Sequence, residues 1–171
     1  MAEIYVRRGT ASDLDSIMQI INEAKALLKA DGSPQWQDGY PYVETLQADI
    51  DNHTNFVLIV DGKVAGTATL ITTPEPNYAT IDGSWKSDDQ YATIHRIAIS
   101  SHYRGQHLSS YFFSNLITIT TLMGVHNVRF DTHPTNKRMQ AIGKRFNFSY
   151  RGITQVDEPR DSNRYAYELN L

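Results

Sequence analysis

Residues 94–110, IHRIAISSHYRGQHLSS, carry the residue types whose order most directly suggests chemistry. A β-branched apolar stretch leads through a short turn and an Arg104-Gly105 elbow into an amphipathic stretch that opens a helix. The first turn of a helix leaves backbone N–H groups without intrahelical partners and carries the positive end of the helix dipole. A helix entered this way can cradle a pyrophosphate through main-chain donors alone, with no metal or lysine. The same elbow also suits an ordinary helix start, with Gly105 as a turn residue. His95, on the strand just before, sits beside whatever the anion carries. Imidazole is the side chain most often used to move a proton near neutral pH, and a buried, hydrogen-bonded structural histidine is the other role that fits. A second group, Asp131-Thr132-His133-Pro134-Thr135-Asn136, closes one strand and opens a helix. Its Asp131 and His133 stand at the carboxyl end of a strand, where ligand sites gather in α/β sheets. His95, Asp131 and His133 are all metal-ligating types, but no metal-binding spacing joins them and no metal is expected.

The elements that must position these groups follow from periodicity. Residues 3–8 alternate and are rich in Ile, Tyr and Val, which predicts a first strand. Thr10 or Ser12 can cap a helix whose apolar face is Leu14, Ile17, Met18, Ile21, Ala24 and Leu28, stopped at Asp31-Gly32-Ser33-Pro34. A loop containing Trp36, Tyr40 and Tyr42 precedes a short helix over 43–52. Strands over 56–60 and 64–73 flank the Asp61-Gly62 hairpin signal. Residues 74–90 form a polar excursion with Tyr78 and Trp85. A strand over 91–100 enters the elbow, and a helix runs from Arg104 or Gly105 to Met123, ended by Gly124. A strand over 125–132, a helix over 134–146 and strands over 148–156 and 165–169 complete the order βααβββαβαββ. No repeat, low-complexity tract or linker interrupts it, so residues 1–171 are expected to form a single domain. The fold class is α/β (α+β): a mixed, mostly antiparallel central sheet with helices on both faces.

The strand-elbow-helix segment resembles the acyl-CoA-binding motif of the GNAT superfamily of N-acetyltransferases. That motif has the pattern Arg/Gln-x-x-Gly-x-Gly/Ala after a strand of the form x-x-hydrophobic-Ala-hydrophobic. The resemblance covers almost the whole chain and implies the same order of elements. It implies that Arg104, Gly105, Gln106, His107, Leu108 and Ser109 hold the pyrophosphate of acetyl-CoA, although His107 and Ser109 replace the usual small residues. It implies that the main chain of Ile97 and Ile99 pairs with the pantetheine arm. Asn136 matches an asparagine that hydrogen-bonds the pantetheine region, and its residue type also suits a helix cap. His95 matches the position of a general base. By strand period it shares a side with Ile97. The family's tyrosine acid is missing, because Gly143 stands there. Tyr150, Tyr111 or water are the substitutes, with Tyr150 the candidate side chain. Asn147 replaces a glycine and tolerates a left-handed turn. Trp36 and Tyr42, with Tyr40, match a substrate-covering loop. Together with Trp85 and His133 they are the substrate-binding candidates; aromatic walls suit an amine by cation–π contact and suit a satellite core equally.

The implied activity is transfer of an acetyl group from acetyl-CoA to a primary amine by direct attack in a ternary complex. The alternative is a non-catalytic CoA-binding sensor on the same fold, separable by turnover with a panel of amines. The acceptor is a small molecule or peptide, and a homodimer is compatible. The chain has 171 residues and a net charge of −3, which offers no broad electrostatic reason to bind nucleic acid or an anionic membrane. It has no cysteine, which excludes a disulfide scaffold and a thiol nucleophile. No signal-peptide pattern or membrane-length apolar run is present, so a cytoplasmic location is expected.

Overall fold

The structure is a computed structural model that describes residues 1–158 and 161–171. Its strands are β1 (Ile4–Arg8), β2 (Asn55–Val60), β3 (Lys63–Ile71), β4 (Asp82–Gly83), β5 (Ala92–Ile99), β6 (Asn127–Thr132), β7 (Ser149–Gln155) and β8 (Asn163–Asn170). Its helices are α1 (Leu14–Ala30), α2 (Val43–Asp51), α3 (Leu108–Leu122) and α4 (Lys137–Arg145). The strands form one sheet in the order β1-β2-β3-β5-β6-β8-β7-β4. Every neighbouring pair is antiparallel except β5–β6, which is parallel. The order expected from periodicity therefore stands, with β4 added. That strand is two residues long and too polar to show alternation. It exists because Gly83 lies opposite Gly152, where a Cβ on either would fall within 2.1 Å of the other strand's backbone.

The sheet buries both faces. On one side Ile17, Ile20 and Ile21 of α1 and Leu46 and Ile50 of α2 pack against Val57, Ile59 and Ala98. On the other, Phe112, Phe113 and Leu116 of α3 join Phe56, Leu58, Ile94, Phe130 and Phe148, with Met139, Ile142 and Phe146 closing over them. Phe113 stands edge-on to Phe130 and Phe148 at centroid distances of 6.0 and 5.7 Å. Helix α3 begins at Leu108, later than the Arg104 or Gly105 start expected. Ser101–Tyr103 form a 3₁₀ turn, and Gly105 and His107 have φ of +80° and +57°, which no α-helix accommodates. Helix α4 likewise begins at Lys137, not Pro134. Asn147 takes up the left-handed conformation (φ +61°) that its residue type tolerates.

Gly143, at the missing-tyrosine position, faces this core. A Cβ there would meet the Phe130 ring at 2.7 Å. Gly143→Tyr is therefore expected to destabilise the protein by about 1–3 kcal/mol through overpacking. Chemical denaturation measures it, and an unchanged midpoint would show that Phe130 moves aside freely.

Candidate functional site

Two irregularities of β5 create the site. Beside β6 the strand pairs only through Ala92↔Val128 and Thr93↔Arg129. Beyond Thr93 the two strands diverge, and β5 has no strand on that edge among the described residues. Along its other edge β5 pairs with β3, and the register slips between Thr67↔Ala98 and Thr69↔His95, a bulge in which Arg96 has φ +51°. The opening leads into a cleft of about 710 Å³. Its walls include residues 94–100, the elbow, Asn136, Met139 and Ile142, and the aromatic loop after α1.

At the elbow the Arg104 amide donates to the Ser101 carbonyl and the Gln106 amide to the Tyr103 carbonyl. The amides of Gly105, His107, Leu108 and Ser109 find no acceptor among the described residues. They cluster at the N-terminus of α3, where the helix dipole is positive, and form a concave donor set suited to a phosphate. His107 adopts the left-handed conformation that a glycine would otherwise supply, at a modest strain that histidine tolerates better than most residues.

His95 and Glu75 both line the cleft, with His95 Nε2 3.0 Å from Glu75 Oε2. Glu75 is held in place by its neighbours: its Oε1 accepts from the Asn77 amide at 3.2 Å, and its own amide donates to the Tyr91 hydroxyl oxygen at 2.9 Å. The His95 hydrogen bond keeps the Glu75 carboxyl below its usual range despite partial burial, so it stays ionised near neutrality. The dyad orients the imidazole. Glu75 itself was not among the residues expected from sequence. The signal available was its place between Pro74 and Pro76, which restricts the backbone around it.

The bulge reverses one expectation. His95 lies opposite Thr69, whose hydroxyl donates to Asp49 of α2 at 2.7 Å, whereas Ile97 packs into the cluster on the α3 side. The two do not share a face, because the extra residue at Arg96 breaks the period of two. Arg96 instead grips Asp49 through Nε (2.9 Å) and Nη2 (2.7 Å) and donates to the Tyr40 hydroxyl at 2.6 Å.

The aromatic loop crosses the cleft mouth. Lys25 Nζ donates to the carbonyls of Gly39 (2.6 Å) and Pro41 (2.9 Å), and Gln35 Oε1 accepts from the Asn136 side chain and the His133 amide, both at 3.4 Å. Trp36 and Tyr42 line the cleft, and Trp36 also packs on the α1–α2 cluster. Asn136 lines it too, while its Oδ1 caps α4 by accepting from the Met139 amide at 3.1 Å.

Four candidates fall outside the cleft lining. Gln106 does not line the cleft, and its amide donates to the Tyr103 carbonyl. Trp85 donates to the Tyr78 carbonyl at 3.0 Å and lies under the Arg129 guanidinium, 4.0 Å from its ring centroid, so its role is packing. His133 is buried, with Nδ1 2.7 Å from Thr135 Oγ1 and Nε2 2.8 Å from Asp161 Oδ2. Tyr150 is 52% exposed on β7, stacked edge-on against Tyr165 and Tyr167, and is no proton donor to this cleft. Tyr111 is also turned away, donating to the Ile4 carbonyl at 3.2 Å. Among the described residues no group of three His, Cys, Asp or Glu is arranged to hold a metal ion, and no helix is long and apolar enough to cross a membrane.

Comparison with known proteins agrees with this geometry. The model of the acetyltransferase (GNAT) family matches residues 16–148. An acetyltransferase of the GNAT family from Streptococcus agalactiae 2603 is 35% identical, with a TM-score of 0.90 over 98% of this chain and 95% of that one. Two others share the fold at lower identity. A GNAT-family acetyltransferase from Listeria monocytogenes 4b F2365 is 21% identical (TM-score 0.75; 98% of this chain, 95% of that one). The protein yncA from Salmonella typhimurium, solved with its cofactor acetyl-CoA, is 16% identical (TM-score 0.71; 99% and 94%). A search of curated proteins finds no match.

Proposed function

We propose, since the chain belongs to the GNAT acetyltransferase family, that it acetylates a primary amine in this cleft with His95 as the base. The family uses acetyl-CoA, which supplies the activated acetyl thioester. The observation that carries the reading is the set of unpartnered amides at residues 105 and 107–109, which line the same cleft as β5 residues 94–99 beyond its last pair with β6. Those amides would hold the pyrophosphate, and the unpaired edge of β5 around Ile97 and Ile99 would align the pantetheine arm.

Overall the reaction forms an amide N–C bond, breaks the thioester C–S bond and leaves a free thiol and a proton. An alkylammonium has no lone pair to attack with, so His95, oriented by Glu75, takes the proton from the amine nitrogen. Tyr150 and Tyr111 lie outside the cleft, and in this reading water protonates the departing thiolate. That thiolate is a tolerable leaving group, by analogy with the cysteine thiol. Positioning in a ternary complex supplies much of the remaining acceleration.

Acetyl-CoA at a hundred times its dissociation constant is expected to stabilise the fold by about 2.7 kcal/mol. A thermal shift and calorimetric titration check this. Neither heat nor shift at millimolar acetyl-CoA would overturn the assignment of the elbow.

A further inference from the structure

The end of the cleft beside His95 has an uneven supply of free charge. Thr93 pairs with Arg129 in parallel register, so His95 and Asp131 stand at the same level on the two diverging strands. Ile94 and Phe130, one residue earlier, both belong to the α3-side cluster, which puts His95 and Asp131 together on the opposite face. Asp131 lines the cleft. Its Oδ2 accepts from the Tyr78 hydroxyl at 2.6 Å, and its Oδ1 has no donor among the described residues. Burial raises the Asp131 carboxyl above its usual range, while His95, the Tyr78 hydrogen bond and the Arg164 charge oppose that rise; a cation arriving beside Oδ1 would favour the ionised form further.

The guanidiniums at this end are already spent. Arg96 is held by Asp49 and the Tyr40 hydroxyl. Arg164 is held by Glu158 at 2.6 Å and by the carbonyls of Asp161 and Asn163 at 2.7 and 2.9 Å. The remaining cleft arginines, Arg104 and Arg138, gather around Asp31 at the elbow end. A carboxylate on the acceptor would find no free guanidinium here and would face Asp131 and Glu75.

We propose that the acceptor is a primary amine lacking a carboxylate, bound as its ammonium by Asp131 across the opening from His95, and that Asp131 determines this specificity. The proposal rests on the acetyltransferase reading above. An anion at Asp131 favours a cationic ligand and repels an anionic one, as expected for charges meeting in a partly desolvated site.

Matched acceptors differing only by a carboxylate test it: 2-phenylethylamine against phenylalanine, and 1,4-diaminobutane against ornithine, with thiol release measured at saturating acetyl-CoA. The amine without the carboxylate is expected to have a kcat/KM at least about tenfold higher in each pair, a gap of about 1.4 kcal/mol. Asp131→Asn, which keeps an acceptor for Tyr78, is expected to raise its KM far more than it lowers kcat and to bring the ratio toward one. A ratio near one or reversed in the wild type overturns the proposal, as does a ratio that Asp131→Asn leaves intact. Turnover of none of the four amines by protein that binds acetyl-CoA calorimetrically overturns it too. Protein that binds no acetyl-CoA would instead overturn the acetyltransferase reading on which it rests.

Discussion

His95→Gln is expected to lower the rate of acetyl transfer by about 10²–10⁴-fold, the usual contribution of a positioned acid or base. Glutamine can still donate to Glu75 Oε2, now 3.0 Å from the imidazole, so the variant should fold and bind acetyl-CoA as the wild type does. The pH profile distinguishes a base from a structural group. At subsaturating amine the wild-type rate should rise with pH and level off. The variant should lose the part of that rise that belongs to imidazole and keep the part that belongs to the amine, identified by comparing acceptors of different pKa. In the proposed mechanism Glu75 acts through His95 as a positioning residue. Glu75→Gln should give a smaller loss, confined to kcat. A His95→Gln enzyme of near-full activity with an unaltered profile would remove His95 from the mechanism.

Glu168→Ala is expected to cost about 3–5 kcal/mol of folding stability, because it leaves a buried guanidinium without its counter-charge. Glu168 is 1% exposed on β8. Its Oε1 accepts from Arg129 Nε (3.1 Å) and Nη2 (3.0 Å), and its Oε2 accepts from Arg151 Nε (3.1 Å) and the Lys86 amide (2.9 Å). Arg129 in turn lies between the rings of Trp85 and Tyr91, 4.0 and 3.9 Å from their centroids, with little access to water. A domain of this size has a total stability of about 5–15 kcal/mol, so the variant should be close to unfolding at ambient temperature. The location ties this to function: Arg129 is half of the last pair that joins β5 to β6 before they part. Chemical denaturation with the slope held fixed measures the loss. A change under about 1 kcal/mol would show that Arg129 reaches another acceptor or solvent.

Much of this protein follows from local pattern. The period of 3.6 in Ile17, Ile21 and Ala24, and the β-branched runs at 56–60 and 94–99, locate elements within a few residues of where they lie, since side-chain burial imposes those periods directly. The elbow was legible for a related reason: a cluster of unpartnered main-chain amides needs only a turn of the right shape, and Arg104-Gly105 announces that turn. Helix starts were less legible, because the left-handed conformation of His107 depends on how β5 delivers the chain to α3 and not on the residue type. Aromatic type likewise did not separate Trp36, which lines the cleft, from Trp85, which covers a buried arginine, because apolar rings suit either setting.

By itself the sequence determined the order of elements, the Arg104-Gly105 elbow between a strand and a helix, and the place of His95 on the strand before it. Each is a property of residue type and short-range spacing. Only the tertiary structure decided which way His95 points, that Glu75 holds it, that Tyr150 lies outside the cleft and that Asp131 faces His95. Those facts depend on a single extra residue at Arg96 and on two parallel strands that separate after Thr93. A bulge and a divergence arise from how whole strands pack against α1 and α3. They shift side chains from one face to the other without leaving any mark in the local periodicity.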